Sequence, residues 1–207
     1  MKTKLLFSFA ILLFGTTIAN AQIAEGKYLL GGSVNFSHIN TINDANTKFE
    51  NNSAGINIQL GKFISANSVI GGMAQYSYAK SNSNGSKANS FGIGMFYRKY
   101  KSLGDNFYLF GEGNVLYNYG KTESIASSNL KQVLNGVSIS LLPGISYSLT
   151  PKMQGELQIP NLISASYTSW KNSNGTQTSP TQNQFSIGAN LNQNLLSNLG
   201  LGFKLIL

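Results

Sequence analysis

The chain of 207 residues contains no cysteine, only 4 prolines, a single tryptophan and a single histidine. Without cysteine there is no disulfide staple, no thiolate metal site and no lipidated export signal, which needs a Cys at the cut. Charged residues make up 11% of the chain, where a soluble domain usually carries about 25%. Acidic side chains are scarcer still, 7 against 15 basic ones, for a net charge of +8. Beyond Gly15 no long apolar run occurs, because Gly, Asn or Ser interrupts each one. A membrane-spanning helix, which needs ~20 apolar residues, is therefore not written in the remainder of the chain.

What is present begins with a leader. Lys2 and Lys4 precede an apolar stretch, Leu5 to Gly15, and Ala19-Asn20-Ala21 stands ahead of Gln22. This order of charge, short apolar run and small-residue site predicts a secretory signal peptide over 1–21, cut after Ala21. The remaining 22–207 suit one domain or one small barrel. Without Lys2 and Lys4 the balance is 13 basic against 7 acidic residues, or +6. A basic balance can indicate nucleic acid, but an export signal argues against that partner here.

The dominant pattern has period two, which places successive side chains on opposite faces of a strand. Tyr28, Leu30, Val34 and Phe36 alternate with Gly31, Ser33, Asn35 and Ser37. Ala54, Ile56, Ile58 and Leu60 oppose Gly55, Asn57 and Gln59, and Phe91, Ile93, Met95 and Tyr97 oppose Gly92, Gly94 and Arg98. Further segments of this kind start near Val69, Phe107 and Asn135. The last two, Met153 to Ser169 and Phe185 to Leu207, break around Pro160-Asn161 and Asn192-Gln193-Asn194. Paired, their interruptions meet as one shared bend, where proline is tolerated.

Eight segments result, with short connections near Ala66, Leu103 and Pro151. Long polar ones run Thr41 to Glu50, Ser81 to Asn89, Gly120 to Leu134 and Trp170 to Gln182. Short turns on one side and long loops on the other is the outer-membrane pattern. Aromatics fall near both sets of strand ends: Phe36, Tyr78, Phe91, Tyr117, Tyr167 and Phe185 on one side, and Tyr28, Phe63, Tyr97, Tyr147 and Phe203 on the other. Rings gather in this way at membrane–water boundaries. The sequence thus predicts an all-β, eight-stranded, antiparallel up-and-down transmembrane β-barrel.

Through Phe91-Gly-Ile-Gly-Met-Phe-Tyr97, Phe110-Gly-Glu-Gly113 and Leu201-Gly-Phe-Lys-Leu205 the chain resembles the small, porin-like outer-membrane β-barrel family of Gram-negative bacteria. The resemblance implies periplasmic chaperones and the barrel insertion machinery as partners. It also implies a terminal aromatic read by that machinery. Leu207 stands there instead, with Phe203 as a substitute signal.

Chemistry is thinly written. Arg98, Glu112, Glu156 and Lys204 all read as facing the lumen near the short-turn end. Since a buried charge needs a partner, they are expected to cluster, as a structural plug or a gate for small ions. Lys80, Lys87, Lys121, Lys131 and Lys171 lie at the long-loop rim, where they can meet phosphates of outer-leaflet lipid, including lipopolysaccharide, or serve as a solvated surface. His38 shares a face with Val34 and Phe36 and points to the interface, so no catalytic residue is assigned. Trp170 reads as an interface anchor. The Gly-x-Gly pairs open no helix and carry no dinucleotide site. No cofactor or metal is expected. The leading reading is a non-enzymatic, structural or surface-interaction barrel of the outer membrane whose extracellular ligand is open. Behind it stand a narrow or transport-linked pore and, last, a lipid-modifying enzyme.

Overall fold

The computed structural model describes residues 25–42, 48–82, 85–104, 106–124, 130–159, 161–173, 178–189 and 200–207. The expected signal segment, Pro160 and Asn192 to Asn194 lie outside them.

Among the described residues ten strands follow one another. They are β1 (Tyr28–Ile42), β2 (Lys48–Ser65), β3 (Ser68–Ser81), β4 (Lys87–Gly104) and β5 (Phe107–Ser124), then β6 (Leu130–Thr150), β7 (Met153–Gln158), β8 (Ile163–Ser173), β9 (Gln182–Ala189) and β10 (Gly200–Ile206). Consecutive strands from β1 to β6 pair antiparallel. β6 carries β7 along one end and β8 along the other. β10 and β9 lie outside these in the same order, and β10 returns to β1 with Leu29 opposite Ile206. Each of these pairs forms one interrupted strand, so the sheet closes as an eight-stranded up-and-down barrel.

The two interruptions are neighbours, since Gln158 faces Gly200 and Ile163 faces Ala189. β6 spans the same gap with Leu142 and Pro143 alone. The longer strand absorbs its excess at Asn161, which takes a left-handed φ of 52°, a conformation Asn tolerates better than most residues. Pro143 has no N–H to give a ladder, but its carbonyl accepts from Ile159 N at 2.9 Å.

At one end, here the lower, two-residue turns link β2–β3, β4–β5 and β6–β7. Asn67 and Asn106 supply positive φ there (67° and 70°), as tight hairpins require. At the upper end the connections are residues 43–47, 82–86, 125–129 and 174–181. Much of what reads as long loop in the sequence is strand: Thr122 faces Gln132, and Lys131 faces both Glu123 and Ser173. Above the membrane a strand has water on its outer face and needs no apolar alternation. Its paired backbone still keeps it extended.

Outward residues are apolar and bare, with Ile58, Ile93 and Ile139 at 52%, 57% and 54% exposure. A water-soluble chain does not expose so continuous an apolar band. The lower interior is close-packed with Leu29, Phe63, Val69, Tyr100, Tyr108, Phe110 and Ile206. Two expectations change. Phe63 is fully buried in this core instead of joining the lower belt. The inward side chains, read from sequence as mostly Ser, Asn, Gln and Gly, are largely apolar at this end. Closing the barrel stacks them over one another out of water, and their burial favours large rings.

Candidate functional site

Arg98 on β4 stands opposite Glu112 on β5. Its Nε donates to Glu112 Oε2 at 2.8 Å, and its Nη2 lies 2.6 Å from the same oxygen. Across the lumen, Nη1 donates to Glu156 Oε1 on β7 at 2.5 Å and to the Tyr100 hydroxyl at 3.0 Å. The guanidinium also lies 4.2 Å from the Phe110 ring centroid, a cation–π contact strengthened by desolvation. Gln59 on β2 donates to Glu112 Oε1 at 2.8 Å and accepts from Lys204 Nζ on β10. Lys204 Nζ reaches Glu156 Oε2 at 3.8 Å. Arg98, Glu112, Glu156 and Lys204 are all buried and sum to zero charge, so the network is self-neutralising in a place where one unpaired charge is costly.

Glycine makes the assembly fit. Gly31 on β1 lies between Gln59 and Lys204 in register, and a Cβ there would overlap the Lys204 side chain. The bare backbone lets Lys204 lie across β1 to Gln59. Gly144 does the same for the Phe110 ring, which occupies the space its Cβ would take.

Closure brings these residues to one level. From Gly31, register pairs lead through β2 to β5 to Ser138 on β6. The opposite way, through β10 and β7, they reach Ser148, ten residues further along the same strand. This stagger tilts the strands and sets Glu156 and Lys204 beside Arg98. Gln59, Tyr100 and Phe110 were not singled out by sequence. Their inward parity is legible, but their height is not.

The upper lumen differs. Gln75 donates to Asn118 (2.9 Å), Asn118 to Ser138 (3.2 Å) and Ser140 to Asn114 (2.6 Å). Trp170 pairs with Leu134, and through Gly120, Ser90, Ser77 and Gly55 its row leads to Asn35. It therefore belongs to the inward set and is not an outer interface anchor. Its Nε1 donates to Gln182 Oε1 at 2.8 Å.

On the outer face Tyr76 donates to Asn89 (2.9 Å) and Tyr117 to Asn135 (3.0 Å), each hydroxyl reaching one row toward the upper rim. Amphipathic rings take this posture at a membrane interface. Beyond them stand the rim lysines, all exposed and outward. Lys80 and Lys87 face each other directly. Lys131 lies 3.5 Å from Glu123, and Lys121 and Lys171 flank Val133 one row lower. The apolar band, the interfacial rings and the sorted connections have one common setting. The chain is an integral outer-membrane β-barrel.

No family model and no curated protein matches this barrel. Solved structures do resemble it. Neisserial surface protein A aligns over 87% of this chain and 96% of its own, with a TM-score of 0.47 and 12% identity. A major outer membrane protein from Thermus thermophilus aligns over 91% of this chain and 100% of its own, with a TM-score of 0.47 and 7% identity. The translocator domain of the autotransporter NalP from Neisseria meningitidis aligns over 100% and 93%, with a TM-score of 0.38 and 10% identity. The membrane placement of this barrel rests on its own exposed apolar band.

Proposed function

We propose that the barrel is sealed, works without turnover, and serves as a membrane-anchored surface element. Its upper connections meet an extracellular ligand, and its rim lysines, Lys80, Lys87, Lys121, Lys131 and Lys171, contact phosphates of outer-leaflet lipid such as lipopolysaccharide. Delivery by periplasmic chaperones and the insertion machinery belongs to the same reading. The observation that carries it is the double seal: a neutral charge network resting on a floor of Leu29, Phe63, Val69, Tyr108 and Ile206. An ion would have to break buried pairs and then displace packed aromatics. Planar-bilayer recording of the purified barrel is expected to give no steps above bare-membrane background. Regular cation- or anion-selective steps would defeat the sealed reading.

One observation favours the pore alternative. Glu156 Oε2 is buried without a hydrogen bond, with Lys204 at 3.8 Å, so this corner of the network is its weakest point. On that reading Lys204→Ala raises conductance; on the sealed reading the aromatic floor keeps it silent.

A further inference from the structure

Three outward register rows climb β1, β2 and β3 side by side. The lowest is Val34, Ile56 and Tyr76, the next Phe36, Ala54 and Tyr78, and the third His38, Asn52 and Lys80. In the middle row a methyl lies between two aromatic rings. Phe36 and Tyr78 are two strand spacings apart, ~10 Å at the backbone, which leaves a slot above Ala54. Phe36, His38, Asn52, Ala54 and Tyr78 line a groove of about 430 Å³ there.

The groove changes chemistry along its length. Its lower end continues into Val34 and Ile56, both exposed in the apolar band. At its upper end Asn40 Nδ2 donates to His38 Nε2 at 2.8 Å. The other ring nitrogen, Nδ1, lies 2.5 Å from Asn52 Oδ1. That leaves the Asn52 amide nitrogen as a donor beside Lys80. Directly across β3–β4 stands Lys87. Like charges placed opposite each other in a sheet repel; Glu123, opposite Lys87 on β5, is shared with Lys131 at 3.5 Å, and an anion seated against both Lys80 and Lys87 removes the remaining cost. The pair stands one row above the Asn89 that receives the Tyr76 hydroxyl, just beyond the rings that mark a membrane interface.

We infer that the outer face of β1–β3, with the facing Lys87, is a discrete binding site for one phosphorylated lipid of the outer leaflet, its acyl chain over Ala54 between Phe36 and Tyr78 and its phosphate at Lys80 and Lys87. This rests on the reading that the rim lysines meet lipid phosphate. A soluble anion has no use for the aromatic slot, and a lipid without phosphate has none for the lysine pair.

Native mass spectrometry of the folded barrel in non-ionic detergent tests it, with bis-phosphorylated lipid A, dephosphorylated lipid A and inorganic phosphate as probes. The expected result is one retained bis-phosphorylated lipid A and neither of the other probes. Ala54→Trp, which fills the slot, abolishes retention. With about 1 kcal/mol for each basic residue near an anionic surface, Lys80→Gln with Lys87→Gln lowers it roughly 30-fold. Lys121→Gln with Lys131→Gln and Lys171→Gln, whose contacts are with the surrounding leaflet and not with this one lipid, lowers it less than about twofold, against the roughly 30-fold of the Lys80/Lys87 pair. A gel shift on boiling verifies that each variant is folded. If the second lysine set matters as much as the first, the local site falls while the lysine girdle stands. If neither set matters, both fall. Retention of inorganic phosphate alone, or a dimer that Ala54→Trp dissociates, would also overturn the site, the latter because a second copy is then its occupant.

Discussion

The two ends of this barrel solve the problem of a filled lumen in opposite ways. At the lower end, large apolar side chains and four charges pack together, and Arg98 is fully buried. At the upper end, inward positions are mostly Ser, Asn, Gln, Thr and Gly, with Leu134 and Trp170 among them, and among the described residues none of them is charged. There, Gln75, Asn118 and Ser138 bond to one another in a neutral chain open to water. Stability should therefore be concentrated below, because desolvated groups depend fully on their partners whereas wetted ones can fall back on water.

The contrast is most directly broken at the charge network. Arg98→Ala leaves Glu112 and Glu156 buried with one fewer cation. It is expected to cost ~3–5 kcal/mol, read as a lower urea midpoint of the detergent-folded barrel. A loss below ~1 kcal/mol would mean that water reaches the lower lumen. A smaller effect is expected where glycine makes room. Gly31→Ala drives a methyl into Lys204 and should cost ~1–3 kcal/mol in the same assay, as overpacking does. The double variant Gly31→Ala/Lys204→Ala should recover part of the packing loss. The least effect is expected above: Asn118→Ala removes two wetted hydrogen bonds and should cost ~0.5–1.5 kcal/mol. If it matched Arg98→Ala, the upper lumen would be as dry as the lower one and the comparison would collapse.

The outer surface repeats the division. Its middle is uniformly apolar, and only near the rim do rings and polar groups combine into chemistry. His38 was placed on this face by parity alone. Its hydrogen bonds to Asn40 and Asn52 are products of register, since Asn52 lies directly opposite it on β2.

Alternation with period two determined the eight spans and the inward direction of Arg98, Glu112, Glu156 and Lys204; the rim lysines were placed only by height. Alternation does so because a strand's faces are fixed locally by its pleat. The paired interruptions around Pro160-Asn161 and Asn192-Gln193-Asn194 were legible from their similar distances to the loop between them, and the flanking pairs Gln158–Gly200 and Ile163–Ala189 do bring the two gaps side by side. Beyond those four charges, which side chains share a level was not legible. That depends on the ten-residue stagger accumulated around the closed sheet, a property of all the registers at once. Only closure put Gln59 under Lys204, Glu156 against Arg98 and Phe63 into a dry floor. Pairing also extended strands into segments that, read one residue at a time, carry the composition of loops; Trp170 lies in such a stretch of β8, and three residues beyond outward Tyr167 the pleat faces it inward. The sequence wrote which way each side chain points; the tertiary structure decided what it meets there.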